Sequence, residues 1–224
     1  MQTMMAYNKC INFETVFTTK EIKSNSVRIF FLKYDVFEPE EVFSFLLEEE
    51  IEVFNSFKSS KRQREYAATR YLRTSLFGKQ KINYFSHGTP FINGVGHISI
   101  SHASSYVAIG VCDEFSIGID LELIRPKVLI VSKRFLNDKE KQELNSNDIE
   151  EMTKVWSLKE ALYKIADRNK IIFSRDLHVD KKNNTDWEGI ICNQNHRPQK
   201  SVSLRALVED NIVISFNTEA AKNV

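Results

Sequence analysis

Cysteine is scarce in this 224-residue chain, with three residues at positions 10, 112 and 192. The number is odd, the positions are far apart and there is no Cys-x-x-Cys spacing. That argues against a disulfide-stapled secreted domain and against a zinc cluster, and it suits a reducing cytoplasm. An excess of one charge is also missing. The 31 basic residues against 30 acidic ones leave a net charge of +1, so no global field would draw the chain onto nucleic acid or an anionic membrane. Any anion site must be local. No apolar run approaches the ~20 residues that span a bilayer. Met1 to Cys10 has neither an apolar signal core nor an arginine-rich transit pattern. A soluble, intracellular, globular protein is expected, and 42% hydrophobic residues are enough to fill a core.

Hydrophobic spacing outlines the elements. Val27 to Leu32 is a β-branched and aromatic run that reads as a strand. Pro39 opens an acidic segment with apolar residues at Val42, Phe45, Leu46 and Phe54, the pattern of one amphipathic helix. Ser59 and Ser60 can start a second helix, in which Ala68, Leu72 and Leu76 recur every fourth residue and Gly78 supplies the stop. Ile98 to Ser101 and Val107 to Cys112 read as paired strands, and Ser116 to Ile124 as a further strand closed by Pro126. Asn137 or Asp138 can cap the next helix. A longer one over Ile149 to Ala166 should bury Met152, Val155, Trp156, Leu162 and Tyr163. Residues 180–186 are loop-like, and Val202 to Leu207 and Ile212 to Phe216 end the chain as strands. Phe57–Glu65 and Phe135–Glu143 echo each other ahead of a long helix. The expected fold is α+β, a pseudo-twofold pair of halves at 1–115 and 116–224, packed as one unit because no low-complexity linker separates them.

Three segments hold chemistry. In Gly118-Ile119-Asp120-Leu121-Glu122, alternation along a strand puts Asp120 and Glu122 on one face, about 7 Å apart. They repel unless a cation lies between them, and Mg²⁺, which prefers oxygen ligands, is a natural candidate. Taken alone, the pair is more simply the solvated face of an edge strand, although Gly118 marks a close approach of something. In Trp156 to Lys164, Glu160 borders the apolar stripe and needs a positive partner. An ordinary i,i+4 pair with Lys164 would satisfy it. Ser101 and His102 end a strand at an accessible rim, where they suit a phosphate but are weak evidence singly. Lys61, Arg62, Arg64, Arg70 and Arg73 make one helix strongly basic, which suits a phosphate-rich ligand or a solvated face.

Together and in order, Ile100-Ser101-His102, Gly118 to Glu122 and Trp156 to Lys164 resemble the larger, surfactin-synthetase-activating class of 4'-phosphopantetheinyl transferases. That resemblance implies Asp120, Glu122 and Glu160 as ligands of Mg²⁺ at the pyrophosphate of coenzyme A, and Glu160 as the base for a carrier serine. It further implies Arg64, Ser101 and His102 as contacts of the coenzyme's nucleotide phosphates, and Lys164 as a catalytic and pyrophosphate-facing lysine. Lys159 belongs to the motif without a direct chemical role. The implied partners are coenzyme A as substrate and an acyl or peptidyl carrier protein. The near-neutral charge predicts no nucleic acid or membrane as partner, and two halves paired within one chain predict a monomer. The chain departs from the pattern at Thr89, where a lysine is common, at the acidic Glu48 to Glu50, and in a glycine-free 165–170. A metal-dependent nuclease and a non-catalytic carrier-binding module remain as alternatives. The first lacks an extended basic and aromatic surface, and the second does not explain three retained carboxylates.

Overall fold

The structure, a computed structural model, describes residues 17–34, 39–166 and 170–224, without the side chains of residues 39 and 40. Cys10, the first ten residues and the centre of the 165–170 stretch lie outside the described residues. β1 (Phe17–Ser24) and β2 (Val27–Tyr34) form a hairpin, and a 3₁₀ turn over Pro39–Phe45 leads into α1 (Glu48–Ser56). The single helix expected from Pro39 to Phe54 is therefore two pieces. The break has a local cause, since the Leu47 backbone N–H donates to Glu50 Oε2 at 3.0 Å and a new helix starts there. α2 (Ser60–Phe77) runs from the expected start to Gly78, whose φ of 67° ends it. β3 (Asn83–Tyr84) and β4 (Pro90–Phe91) make a small ribbon, followed by β5 (His97–Ala103) and β6 (Tyr106–Cys112). The first sheet is antiparallel in the order β1-β2-β6-β5, with α2 packed on it.

The second half begins with β7 (Ile119–Leu123) and continues through α3 (Lys127–Phe135), α4 (Asp138–Glu143), α5 (Ile149–Ile165) and α6 (Phe173–Asp176). Asn137 caps α4 as expected. Its Oδ1 accepts the Glu140 N–H at 2.8 Å, while Glu140 Oε2 accepts the Asn137 N–H at 2.8 Å. Then come β8 (Leu177–Lys181), β9 (Asp186–Cys192), β10 (Pro198–Glu209), β11 (Ile212–Asn217) and β12 (Lys222–Asn223). Strands β8 and β9 run into the expected 180–186 loop and leave only residues 182–185 as its turn. The second sheet has the antiparallel order β7-β11-β10-β9-β8, with β12 on β10 and α5 lying across it. Each half is thus an antiparallel sheet crossed by one long helix, the α+β arrangement expected.

Apolar burial explains why the halves meet as they do. Ala68 and Leu72 of α2 bury against Leu32, Val107 and Ile109. Val155, Leu158 and Leu162 of α5 bury against Trp187, Val202 and Leu204. A third core joins Ile29 and Ala108 of the first sheet to Ile119, Leu121, Ile214 and Phe216 of the second. Along its edge, β5 and β7 lie side by side, joined through serine hydroxyls. Ser99 Oγ accepts the Ile119 N–H and Ser101 Oγ the Leu121 N–H, each at 3.1 Å.

Candidate active site

The end of β7 and one face of α5 meet because Gly118 has no side chain. A Cβ there would stand 2.2 Å from the Ala161 carbonyl oxygen, closer than any real contact. That approach sets Glu160 and Lys164 of α5 opposite Asp120. Gly118→Ala must push the helix away, so we expect it to cost about 1–3 kcal/mol and to depress activity beyond its loss of stability. Chemical denaturation beside an activity assay checks both effects.

Asp120 is buried, and its carboxylate is held from two sides. Ser101 Oγ donates to Oδ1 at 3.0 Å and Lys164 Nζ donates to the same oxygen at 3.1 Å. Lys164 Nζ also donates to the Ile119 carbonyl at 2.6 Å. Its bonds thus go to β7, and the simple i,i+4 pair with Glu160 is not what engages it. Asp120 Oδ2 is buried without any hydrogen-bond partner, a costly state for a carboxylate oxygen. Glu122, half-buried on the same strand, accepts the Trp156 indole N–H at Oε1, 2.7 Å away.

The three carboxylates feel one another. Burial first, and then the charge of Asp120, raises the Glu122 carboxyl above its ordinary value, against the Trp156 hydrogen bond. Burial, Asp120 and Glu122 together push Glu160 up to about 7, with Lys164 opposing. Among the described residues, no three Asp, Glu, His or Cys side chains are already gathered as a metal cage. The chemistry of the set nevertheless fits a hard divalent cation. It offers three oxygen donors, one orphaned carboxylate oxygen, and mutual repulsion that a positive charge would relieve. The Lys164 ammonium supplies one positive charge at Asp120, 3.1 Å from Oδ1.

Beside this cluster opens a cleft of about 1070 Å³ between α2, the β3–β4 ribbon, β5 and the C-terminal end of α5. His102, Lys164 and Thr89 line it, whereas Ser101, Arg64 and the three carboxylates do not. Lys164 is the link between the cleft and the carboxylates. Arg64 is half-buried on α2, close enough to the Tyr34 phenol for its charge to act there. The guanidinium that does reach the cleft and His102 is that of Arg62, whose Nη1 lies 3.2 Å from His102 Nε2 and 3.3 Å from Glu65 Oε2. Nothing in the sequence ranks Arg62 over Arg64 without knowing which face of α2 meets β5.

Two other expectations need correcting. The basic helix is not all available to a ligand, because Arg73 is fully buried and Arg70, though it lines the cleft, is nearly so, both paired to Glu50 at 2.9 and 3.1 Å. The acidic run Glu48 to Glu50 thereby supplies an internal counter-ion. Tyr163 is 42% exposed and lines the cleft instead of entering the core, since the α5 stripe turns past it to Leu162 and Ile165. Lys159 is wholly buried and donates to Glu140 Oε2 at 2.7 Å, tying α5 to α4.

Comparison with known proteins finds a family match in the second part of the chain. Residues 116–216, which carry all three carboxylates and Lys164, match the family model described as the 4'-phosphopantetheinyl transferase superfamily. The chain is 26% identical over 140 residues to a 4'-phosphopantetheinyl transferase of Bacillus pumilus, a match covering 52% of this chain and 60% of that protein. It is 31% identical over 86 residues to the 4'-phosphopantetheinyl transferase of Bacillus subtilis, covering 36% of this chain and 38% of that one. Both matches span less than two thirds of the relative's length. The likeness to the 4'-phosphopantetheinyl transferase superfamily thus lies in residues 116–216.

Proposed function

We propose that this protein transfers the 4'-phosphopantetheine group of coenzyme A to a serine of an apo acyl or peptidyl carrier protein, as a member of the surfactin-synthetase-activating class. The observation that carries the reading is the buried, partnerless Asp120 Oδ2 beside Glu122 and Glu160, whose carboxyls are both raised by burial and by Asp120. Asp120, Glu122 and Glu160 would hold Mg²⁺. Bound there, the ion supplies stabilisation of charge on the transferring and leaving phosphates.

The chain's own residues do the rest. His102, Arg62 and Lys164 present donors along the cleft to the anionic coenzyme. Arg64 and Ser101, which the resemblance also assigns to the nucleotide, lie outside the cleft wall. The serine hydroxyl of the carrier attacks the phosphorus next to pantetheine, and Glu160 accepts its proton at a carboxylate oxygen. An O–P bond to serine forms, the pyrophosphate P–O bond breaks, and adenosine 3',5'-bisphosphate leaves. Residues 1–115 and 116–224 act as two halves of one packed unit. A monomer then suffices, because both walls of the site come from one chain, and light scattering tests that state. No helix among the described residues is long and apolar enough to cross a membrane. A cytoplasmic location, without nucleic acid or membrane as partner, is part of the proposal.

Thr89 lines the cleft on the turn before β4. A lysine there adds a cation facing the coenzyme, so Thr89→Lys should lower KM for coenzyme A about threefold to tenfold, since an exposed charged contact is worth no more. The whole reading is tested by incubating the purified protein with coenzyme A, Mg²⁺ and an apo carrier. The carrier should gain the mass of one phosphopantetheine. Binding without any gain in mass would favour a non-catalytic module, and cleavage of added nucleic acid would favour a nuclease.

A further inference from the structure

Ser101 and His102 are neighbours on β5, and consecutive residues of a strand face opposite ways. His102 is exposed and reaches the cleft. Ser101 is 6% exposed and faces β7, with its hydroxyl fully engaged. The oxygen accepts the Leu121 N–H at 3.1 Å, and the single proton goes to Asp120 Oδ1 at 3.0 Å. Oδ1 also accepts from Lys164, so one oxygen of Asp120 is held twice while Oδ2 has no partner. A carboxylate pinned through one oxygen keeps the other in a fixed direction with its lone pairs unspent. Phosphate oxygens accept hydrogen bonds, so Ser101 has nothing to give a phosphate without releasing Asp120.

We propose that Ser101 is a positioning residue for Asp120, not a contact of the nucleotide phosphates, and that it holds the carboxylate so that Oδ2 is offered to the divalent cation. The inference rests on the cation site described under Proposed function and departs from the role that the resemblance gives Ser101. Ser99 supplies an internal control. Its hydroxyl accepts the Ile119 N–H across the same seam but bonds to no carboxylate.

The test measures two affinities on wild type, Ser101→Ala, Ser101→Thr and Ser99→Ala. Mn²⁺ binding is followed by electron paramagnetic resonance with coenzyme A present. Binding of adenosine 3',5'-bisphosphate is followed by calorimetry without metal. Ser101→Ala should weaken Mn²⁺ about 10–100-fold, the usual effect of removing a group that orients a metal ligand, and leave nucleotide binding unchanged. Ser101→Thr, which keeps the hydroxyl, should recover most of the loss. Ser99→Ala should lower the melting temperature and, although Ser99 lines the cleft, weaken Mn²⁺ far less than Ser101→Ala does. Should Ser101→Ala not fold, Ser101→Cys, a weaker donor of similar size, carries the same comparison. Unchanged Mn²⁺ affinity in folded Ser101→Ala or Ser101→Cys, or weaker nucleotide binding without metal in either, overturns the inference and leaves the cation site standing. A wild type that binds no Mn²⁺ overturns the cation site itself, and this inference with it.

Discussion

Asp120→Asn should lower phosphopantetheine transfer by about a thousandfold or more while leaving the protein folded. The rate effect follows from the ligand set. A bound divalent cation contributes several kcal/mol of charge stabilisation at a transferring phosphoryl group, and each 1.4 kcal/mol lost is about tenfold in rate. Asparagine keeps the acceptor oxygen for Ser101 and Lys164 but loses the anionic Oδ2. The effect on stability is expected to be small, within about 1 kcal/mol, because two changes oppose each other. Repulsion from Glu122 and Glu160 is relieved, and attraction to the partly exposed Lys164 ammonium, 3.1 Å away, is weakened. Thermal melts beside a carrier-mass assay separate the two quantities. Near-normal transfer by the variant would make Asp120 a buried structural charge only. An unfolded variant would make the Ser101–Asp120–Lys164 contact a structural one.

The second large effect is a dependence of stability on pH that belongs to Glu160. Its carboxyl, ordinarily at 4.5, is pushed up to about 7 in the folded chain, first by burial and then by Asp120. The folded state therefore holds this proton more tightly than the unfolded state does. The associated stability is fully present below about pH 4.5 and is lost as pH rises through 7. The shift corresponds to roughly 3 kcal/mol. Solvent reaches part of the side chain, so about 2 kcal/mol is the expected measurable loss. Glutamine mimics the protonated form at every pH. Metal-free Glu160→Gln should therefore melt about 4–8 °C above wild type at pH 8 and level with it near pH 4.5. Mg²⁺ with coenzyme A should reverse the order at pH 8, because ligands that bind the ionised site stabilise only the wild type. Melting curves that run parallel across this range would mean that Glu160 is solvated and free of Asp120.

Much of this site is legible in the chain itself, for identifiable reasons. Asp120 and Glu122 share a face because strands alternate, and Glu160 and Lys164 share one because they are a helical turn apart. The long helices and the β5–β6 pair announce themselves by period and by Gly78, Asn137 and Pro126. What cannot be read depends on contacts between distant segments. Leu47 interrupts a helical pattern only because Glu50 folds back to its N–H. Glu50 itself serves two arginines from the next helix, so neither its burial nor theirs shows in local composition. β1 goes unread because its middle is exposed on both faces and carries no alternation. Strands β8 and β9 were hidden by the polar residues between them. The serine seam was within reach, since Ser99 and Ser101 stand two apart on one strand face. Its partner strand, however, belongs to the other half. Arg62 rather than Arg64 reaches the cleft for the same reason.

The central claim is that the carboxylates of β7 and α5 act together through a divalent cation in moving phosphopantetheine. Its most direct test is the rate of carrier modification by the wild-type protein as Mg²⁺ is removed with a chelator and then restored. The account predicts no transfer in the chelator and full recovery on adding Mg²⁺, with saturation. Undiminished transfer in excess chelator would contradict it.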